Sequence, residues 1–100
     1  MTAVEHGELP AGLEQTRVTD EFDADTVPAG LLRAHRVADG MWGVVRVRSG
    51  SVRFVWEDGP PTAGPLEVEL SEGDSLVIPP AVPHRVEVGA GGRFVVEFHR

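Results

Sequence analysis

The stretch from Gly73 to Val86, reading GDSLVIPPAVPHRV, constrains this chain more than any other. Gly73-Asp74 is a turn signal, and Ser75 to Ile78 is a short apolar strand. Pro79 and Pro80 end that strand, because neither can donate a ladder hydrogen bond. Ala81-Val82-Pro83 then delivers His84 to the head of the next strand. Side chains alternate along a strand, so His84 shares a face with Val86 and Val88. An imidazole aimed at an apolar interior just after a rigid turn suits a metal ligand, since a fixed backbone and dry walls sharpen coordination. It suits equally a core histidine whose ring nitrogens are met by backbone groups or water. Spacing alone leaves both readings open.

The same period of two runs through the rest of the chain. Residues 1–8 read as a flexible, polar arm, and irregular sequence with Pro10 and two glycines continues to Gly12. Leu13 to Val18 is an expected edge strand. Asp20, Glu21, Asp23 and Asp25 surround Phe22, which reads as a surface loop or helical turn anchored by the phenylalanine. After the Val27-Pro28-Ala29-Gly30 turn, Leu31 to Val37 reads as a strand with Leu31, Arg33, His35 and Val37 on one face. Asp39-Gly40 is a hairpin signal. Trp42 to Arg48, Val52 to Glu57 and Leu66 to Leu70 alternate as strands, and the last pair is separated by the proline-rich loop Asp58 to Pro65. Gly89 to Gly92 turns the chain into a final strand, Phe94 to Phe98. Short strands at roughly ten-residue spacing, without an amphipathic helix, predict an all-β, antiparallel barrel or sandwich filling residues 9–100 as one domain.

Composition narrows the function. One hundred residues, 41% of them hydrophobic, are enough for one core. No apolar run approaches the length of a membrane span, and the acidic start does not read as a secretory leader. Cysteine is absent, which removes thiolate metal sites and thiol nucleophiles and agrees with a cytoplasmic protein. Nine basic residues against sixteen acidic ones give a net charge of −7. That balance argues against nucleic acid and anionic membrane as partners.

The order Gly73, Pro79, His84 resembles the second signature of the cupin superfamily, with Ala81 where that signature usually has glycine. Further pieces are PAGLLRAH at Pro28 to His35, GMWG at Gly40 to Gly43, the Arg46 to Phe54 run, PHRVE at Pro83 to Glu87 and VEF at Val96 to Phe98. Together they resemble small stand-alone bacterial relatives of the cupin region at the N-terminus of some tellurite-resistance methyltransferases. The resemblance implies a cupin-like jelly roll and a stress- or tellurite-related role, without methyl transfer. In the superfamily the first signature supplies two histidines and a glutamate. Here His35 stands alone, Val37 follows two residues on, and Gly43 occupies the region of the glutamate.

The expected divalent ion, zinc or iron, therefore rests on His35 and His84, with Glu97 as third ligand. Glu87 and His99 are further candidates. Alternation places Glu87 away from His84, and it makes Glu97 a surface charge if Phe94 and Phe98 point inward. Arg33, Trp42 and Arg85 are the expected ligand-pocket residues, with the arginines suited to an oxyanion or acting instead as salt-bridge partners. Three functions follow: a small cupin binding a metal and a small, anionic or neutral ligand; a cupin metalloenzyme of oxygenase, isomerase or lyase type; or a metal-free ligand-binding or dimerisation module. Catalysis asks for a second acid or base that is hard to name once His35 and His84 hold metal. A homodimer is expected from the edge strands and from Phe22, Trp42 and Trp56 as patch candidates.

Overall fold

A computed structural model describes residues 3–61 and 63–100. Met1, Thr2 and Thr62, parts of the expected arm and long loop, lie outside the described residues. The strands are β1 (Glu5–His6), β2 (Gln15–Val18), β3 (Trp42–Ser49), β4 (Ser51–Trp56), β5 (Glu67–Ser71), β6 (Ser75–Ile78), β7 (His84–Val88) and β8 (Arg93–His99). They form a five-stranded sheet in the order β1-β6-β3-β8-β2 and a three-stranded sheet in the order β5-β4-β7. The expected all-β architecture is what forms, as a two-sheet sandwich whose sheets are not closed into a continuous barrel.

Period-two alternation sets which side chains of the long strands meet between the two sheets. From the larger sheet, Val45, Val47, Leu76, Ile78, Phe94 and Val96 point inward; Val52, Phe54, Trp56, Leu70 and Val86 meet them from the smaller sheet. Phe54 and Phe94 are fully buried. Each such side chain contributes roughly 1.5–3 kcal/mol by leaving water. On the outer face of the smaller sheet, Arg53 reaches Glu69 at 3.5 Å and Glu87 at 3.6 Å, matching the cross-strand register. Those exposed pairs are each worth no more than about 1 kcal/mol.

The chain changes sheets at Ser49-Gly50-Ser51, between β3 and β4. Gly50 has φ +62°, and a Cβ there would run into the backbone of Gly91. Only glycine meets both demands.

Three expectations change. The arm docks on the sheet, because Glu5–His6 pairs in parallel with Ser75 and Leu76. Asp74 holds it: its carboxylate accepts from the Ser71 amide at 2.8 Å and from the Val4 amide at 2.9 Å. Those two bonds, Ser71 first, keep the buried carboxyl below its ordinary pKa. The Leu31 to Val37 strand does not form. Pro28 starts a 3₁₀ turn over Ala29–Leu32, with the Leu31 amide on the Pro28 carbonyl at 2.9 Å. The chain then crosses the sandwich and touches a strand through the His35–His84 bridge. The aromatic patch shrinks too: Trp56 is buried and Phe22 packs on the core, edge-on to Phe94 at 5.7 Å, while Trp42 stays partly exposed. No helix among the described residues is long and apolar enough to cross a membrane.

Candidate functional site

The prolines after β6 bring His84 to the sandwich interior. Ala81 turns the chain with φ +62°, a left-handed conformation that costs an L-residue roughly 1–2 kcal/mol, and its amide donates to the Val37 carbonyl at 3.0 Å. Ala81 is the residue that stands where the signature usually has glycine, and its backbone has the glycine conformation. The backbones of His35 and His84 then exchange two hydrogen bonds, of 3.0 and 2.9 Å. That isolated bridge brings the imidazoles together, with ring centroids 4.1 Å apart at 64°.

His84 is 2% exposed. Its ring stacks on Phe54 at 5.1 Å and 17°, and Trp56 lies edge-on at 6.4 Å. Burial pushes its pKa down to about 4, so the ring is neutral near pH 7. Its Nδ1 lies 2.8 Å from the Val82 carbonyl, which only accepts, so Nδ1 carries the proton and Nε2 the lone pair. Among the described residues no buried side-chain nitrogen or oxygen lacks a partner, and Nε2 of His84 makes no protein hydrogen bond; that nitrogen is therefore open to the adjoining cavity. In His35, Nδ1 lies 3.1 Å from the Arg33 carbonyl, the same kind of partner that Nδ1 of His84 has.

The cavity measures about 410 Å³. Its walls include Phe22, Phe54, Phe94, Phe98, Ile78 and Val86, and its polar lining is His35, His84, Arg17, Thr19 and Arg36. The volume and the mostly apolar walls with few polar groups are those of a small-molecule site.

The other expected site residues lie elsewhere. Glu97 alternates with Val96 and Phe98, so it faces outward. There it pairs with Arg46 and lies 3.1 Å from Nε2 of His99. Burial works to raise the Glu97 pKa, but the bonds to Arg46 and His99 outweigh it and hold it below its ordinary value. Arg85 also faces outward, on Glu57 at 2.8 Å and on Glu87. Arg33 contributes its carbonyl to His35, and its side chain is not part of the cavity lining. Trp42 lines a second cleft of about 490 Å³, between β1 and the proline-rich loop.

These placements bear on the expected metal. His35 and His84 both line the cavity, and the described residues contain no group of three or more histidines, cysteines or carboxylates that could hold an ion. A resident divalent ion needs at least three protein donors. His35 and His84 alone fall short of that number.

Alternation also missed Arg17 and Arg36. The β2–β8 register shifts between Gln15 and Arg17, so Gln15 pairs with outward His99 whereas Arg17 pairs with inward Phe98. A bulge of this kind leaves no mark on a two-residue period. Arg36 lies in the crossing segment that was expected to be a strand, where alternation does not apply.

The fold recurs in solved structures. A protein of E. coli (strain K12) superposes with a TM-score of 0.81 at 23% identity, covering 93% of this chain and 95% of its own. TehB from Haemophilus influenzae gives a TM-score of 0.72 at 23% identity, covering 87% of this chain but 31% of TehB, so the chain spans about a third of that protein. At these identities the likeness is one of fold. No curated protein matches the sequence. The model of the TehB-like domain matches residues 17–96. With that match over most of its length, the chain belongs to the TehB-like domain family.

Proposed function

We propose that this chain is a cupin-type module that binds a small organic molecule in the cavity beside His35 and His84, in a role linked to tellurite resistance. One observation carries the reading: an apolar cavity of about 410 Å³ meets a neutral imidazole whose Nε2 is its open acceptor. An apolar wall provides affinity, and an isolated acceptor at its buried end provides orientation. The link to tellurite resistance rests on kinship with TehB alone.

A second reading is favoured by the matching hydrogen bonds of the two rings. His35 and His84 both spend Nδ1 on a carbonyl, which is how metal-ligating histidines are commonly held. On that reading zinc or iron is bound through the two histidines, and the organic ligand supplies the missing donors.

A fragment library screened by amide NMR, with and without zinc or ferrous iron, tests both. The expected result is saturable shifts at Phe54, His84 and Val86 without added metal. Shifts that require metal and vanish in His84→Ala would favour the second reading. A library with no binder at the cavity under either condition would sink both.

A further inference from the structure

The cavity is charged against the grain of the molecule. The chain carries a net charge of −7, yet the cavity lining holds Arg17, Arg36 and two histidines and, among the described residues, no carboxylate. Arg46, Arg53, Arg85 and Arg93 each have a glutamate within ion-pair distance. Among the described residues no carboxylate lies so close to Arg17 or Arg36. Among those residues Arg33, Arg48 and Arg100 have no carboxylate that close either, but of the five only Arg17 and Arg36 line the cavity, where a ligand carboxylate can meet them.

Arg17 is also positioned. The bulge in β2 turns it inward, and its guanidinium lies over the Phe98 ring, 4.7 Å from the centroid. A cation held over an aromatic face is oriented yet keeps its in-plane N–H donors for a carboxylate. Arg17 and Arg36 are exposed and His84 is buried, so the cations mark the mouth and the imidazole the floor. Four phenylalanines contribute to the walls between, which favours a flat ring. At the floor, Nε2 of neutral His84 accepts and cannot donate, so it selects a ligand O–H or N–H.

We propose, resting on the ligand-binding reading above, that the cavity takes a hydroxyl-bearing aromatic carboxylate. Its carboxylate meets Arg17 and Arg36, its ring packs among the phenylalanines, and its hydroxyl donates to Nε2 of His84.

Calorimetric titration of the full chain with 4-hydroxybenzoate, benzoate, 4-hydroxybenzyl alcohol and tyramine tests this. The order expected is 4-hydroxybenzoate tightest, then benzoate, with the neutral alcohol at least about tenfold weaker than 4-hydroxybenzoate and the amine not binding. Arg17→Gln should weaken 4-hydroxybenzoate about tenfold and leave the alcohol unchanged. Arg48→Gln, an exposed arginine outside the lining, controls for net charge and should change neither. If the alcohol binds as tightly as the acid, or Arg17→Gln and Arg48→Gln weaken the acid equally, the ligand class is wrong while the cavity remains a ligand site. If none of the four binds but other fragments do, the class alone falls. If no fragment of the wider library binds, the ligand-binding reading falls with it.

Discussion

His84 and Glu97 were expected on one ion, and the sandwich puts them in opposite surroundings. His84 heads β7 on the inner face, between Phe54, Trp56 and His35, and it is held neutral there. Glu97 lies on the outer face of β8, beside Arg46 and His99, and it is held ionised. Both side chains are largely shielded from solvent, so burial does not separate them; the partners do. A histidine among aromatic rings loses hydration with no charge in return, whereas a carboxylate touching a guanidinium is compensated. The inner face therefore offers lone pairs and apolar walls, and the outer face offers a satisfied ion cluster. Chemistry that needs an open donor belongs to the first.

The largest test of this contrast is pH. The folded-state pKa of His84 is pushed below its ordinary value of 6.5, to about 4. Above pH 6.5 the ring is neutral whether the chain is folded or not, and stability is full. As pH falls from 6.5 toward 4, the unfolded chain takes up a proton that the folded one refuses, so stability is lost. Between pH 7 and pH 5 the loss is about 2 kcal/mol. The carboxyls with lowered pKa, Asp74 and Glu97, withdraw their contributions at lower pH and leave this window to histidine. Urea unfolding at both pH values measures it, with His84→Phe as the reference that keeps an aromatic ring and cannot titrate. Equal pH slopes in parent and variant would show that His84 is not held neutral by burial.

The contrast also explains what could be read in advance. Alternation needs a continuous ladder, and where one exists the reading held. His84 faces inward with Val86 and Glu87 faces outward, whereas Arg85, named for the ligand pocket against the same alternation, faces outward too. Outward placement of Glu97 followed from Phe94 and Phe98 in the same strand. Where the ladder breaks, the reading failed. A 3₁₀ turn over Ala29–Leu32 runs into the head of the expected Leu31 to Val37 strand, and a bulge beside Arg17 puts that arginine at the cavity mouth. The N-terminal residues look polar and irregular, but the Val4 amide on the Asp74 carboxylate and the Ser75 amide on the Val4 carbonyl dock them. Hydrogen bonds formed across so many residues leave no local periodicity to detect.

A smaller effect sharpens how His84 is delivered. Ala81→Gly removes a left-handed L-residue, which costs roughly 1–2 kcal/mol, but loosens the unfolded chain by about 0.4–1 kcal/mol. The net is a gain of about 1 kcal/mol, read as a melting temperature raised by roughly 4–8 °C. The pH slope assigned to His84 should be unchanged, because the turn keeps its path. A lower melting temperature would mean that the Ala81 methyl makes contacts worth more than the strain.

The smallest expected effect bears on the outer face. Glu97→Gln keeps the shape and a hydrogen-bonding oxygen while removing the charge that meets Arg46 and His99. Arg46 is half exposed, so the pair is partly screened, and the stability lost is about 1 kcal/mol or less. Inside the cavity nothing should change. Glu97 points away from it, and neither its charge nor its carboxylate oxygens are available to an ion or ligand beside His84. Zinc titrated into the parent, Glu97→Gln and His84→Ala distinguishes the faces directly. Parent and Glu97→Gln should agree within error, and His84→Ala should lose whatever zinc affinity the parent has. If Glu97→Gln weakens zinc binding as much as His84→Ala does, the carboxylate reaches the histidines in solution. β8 would then have to present its outer face to the cavity, and the division between the two faces would be wrong.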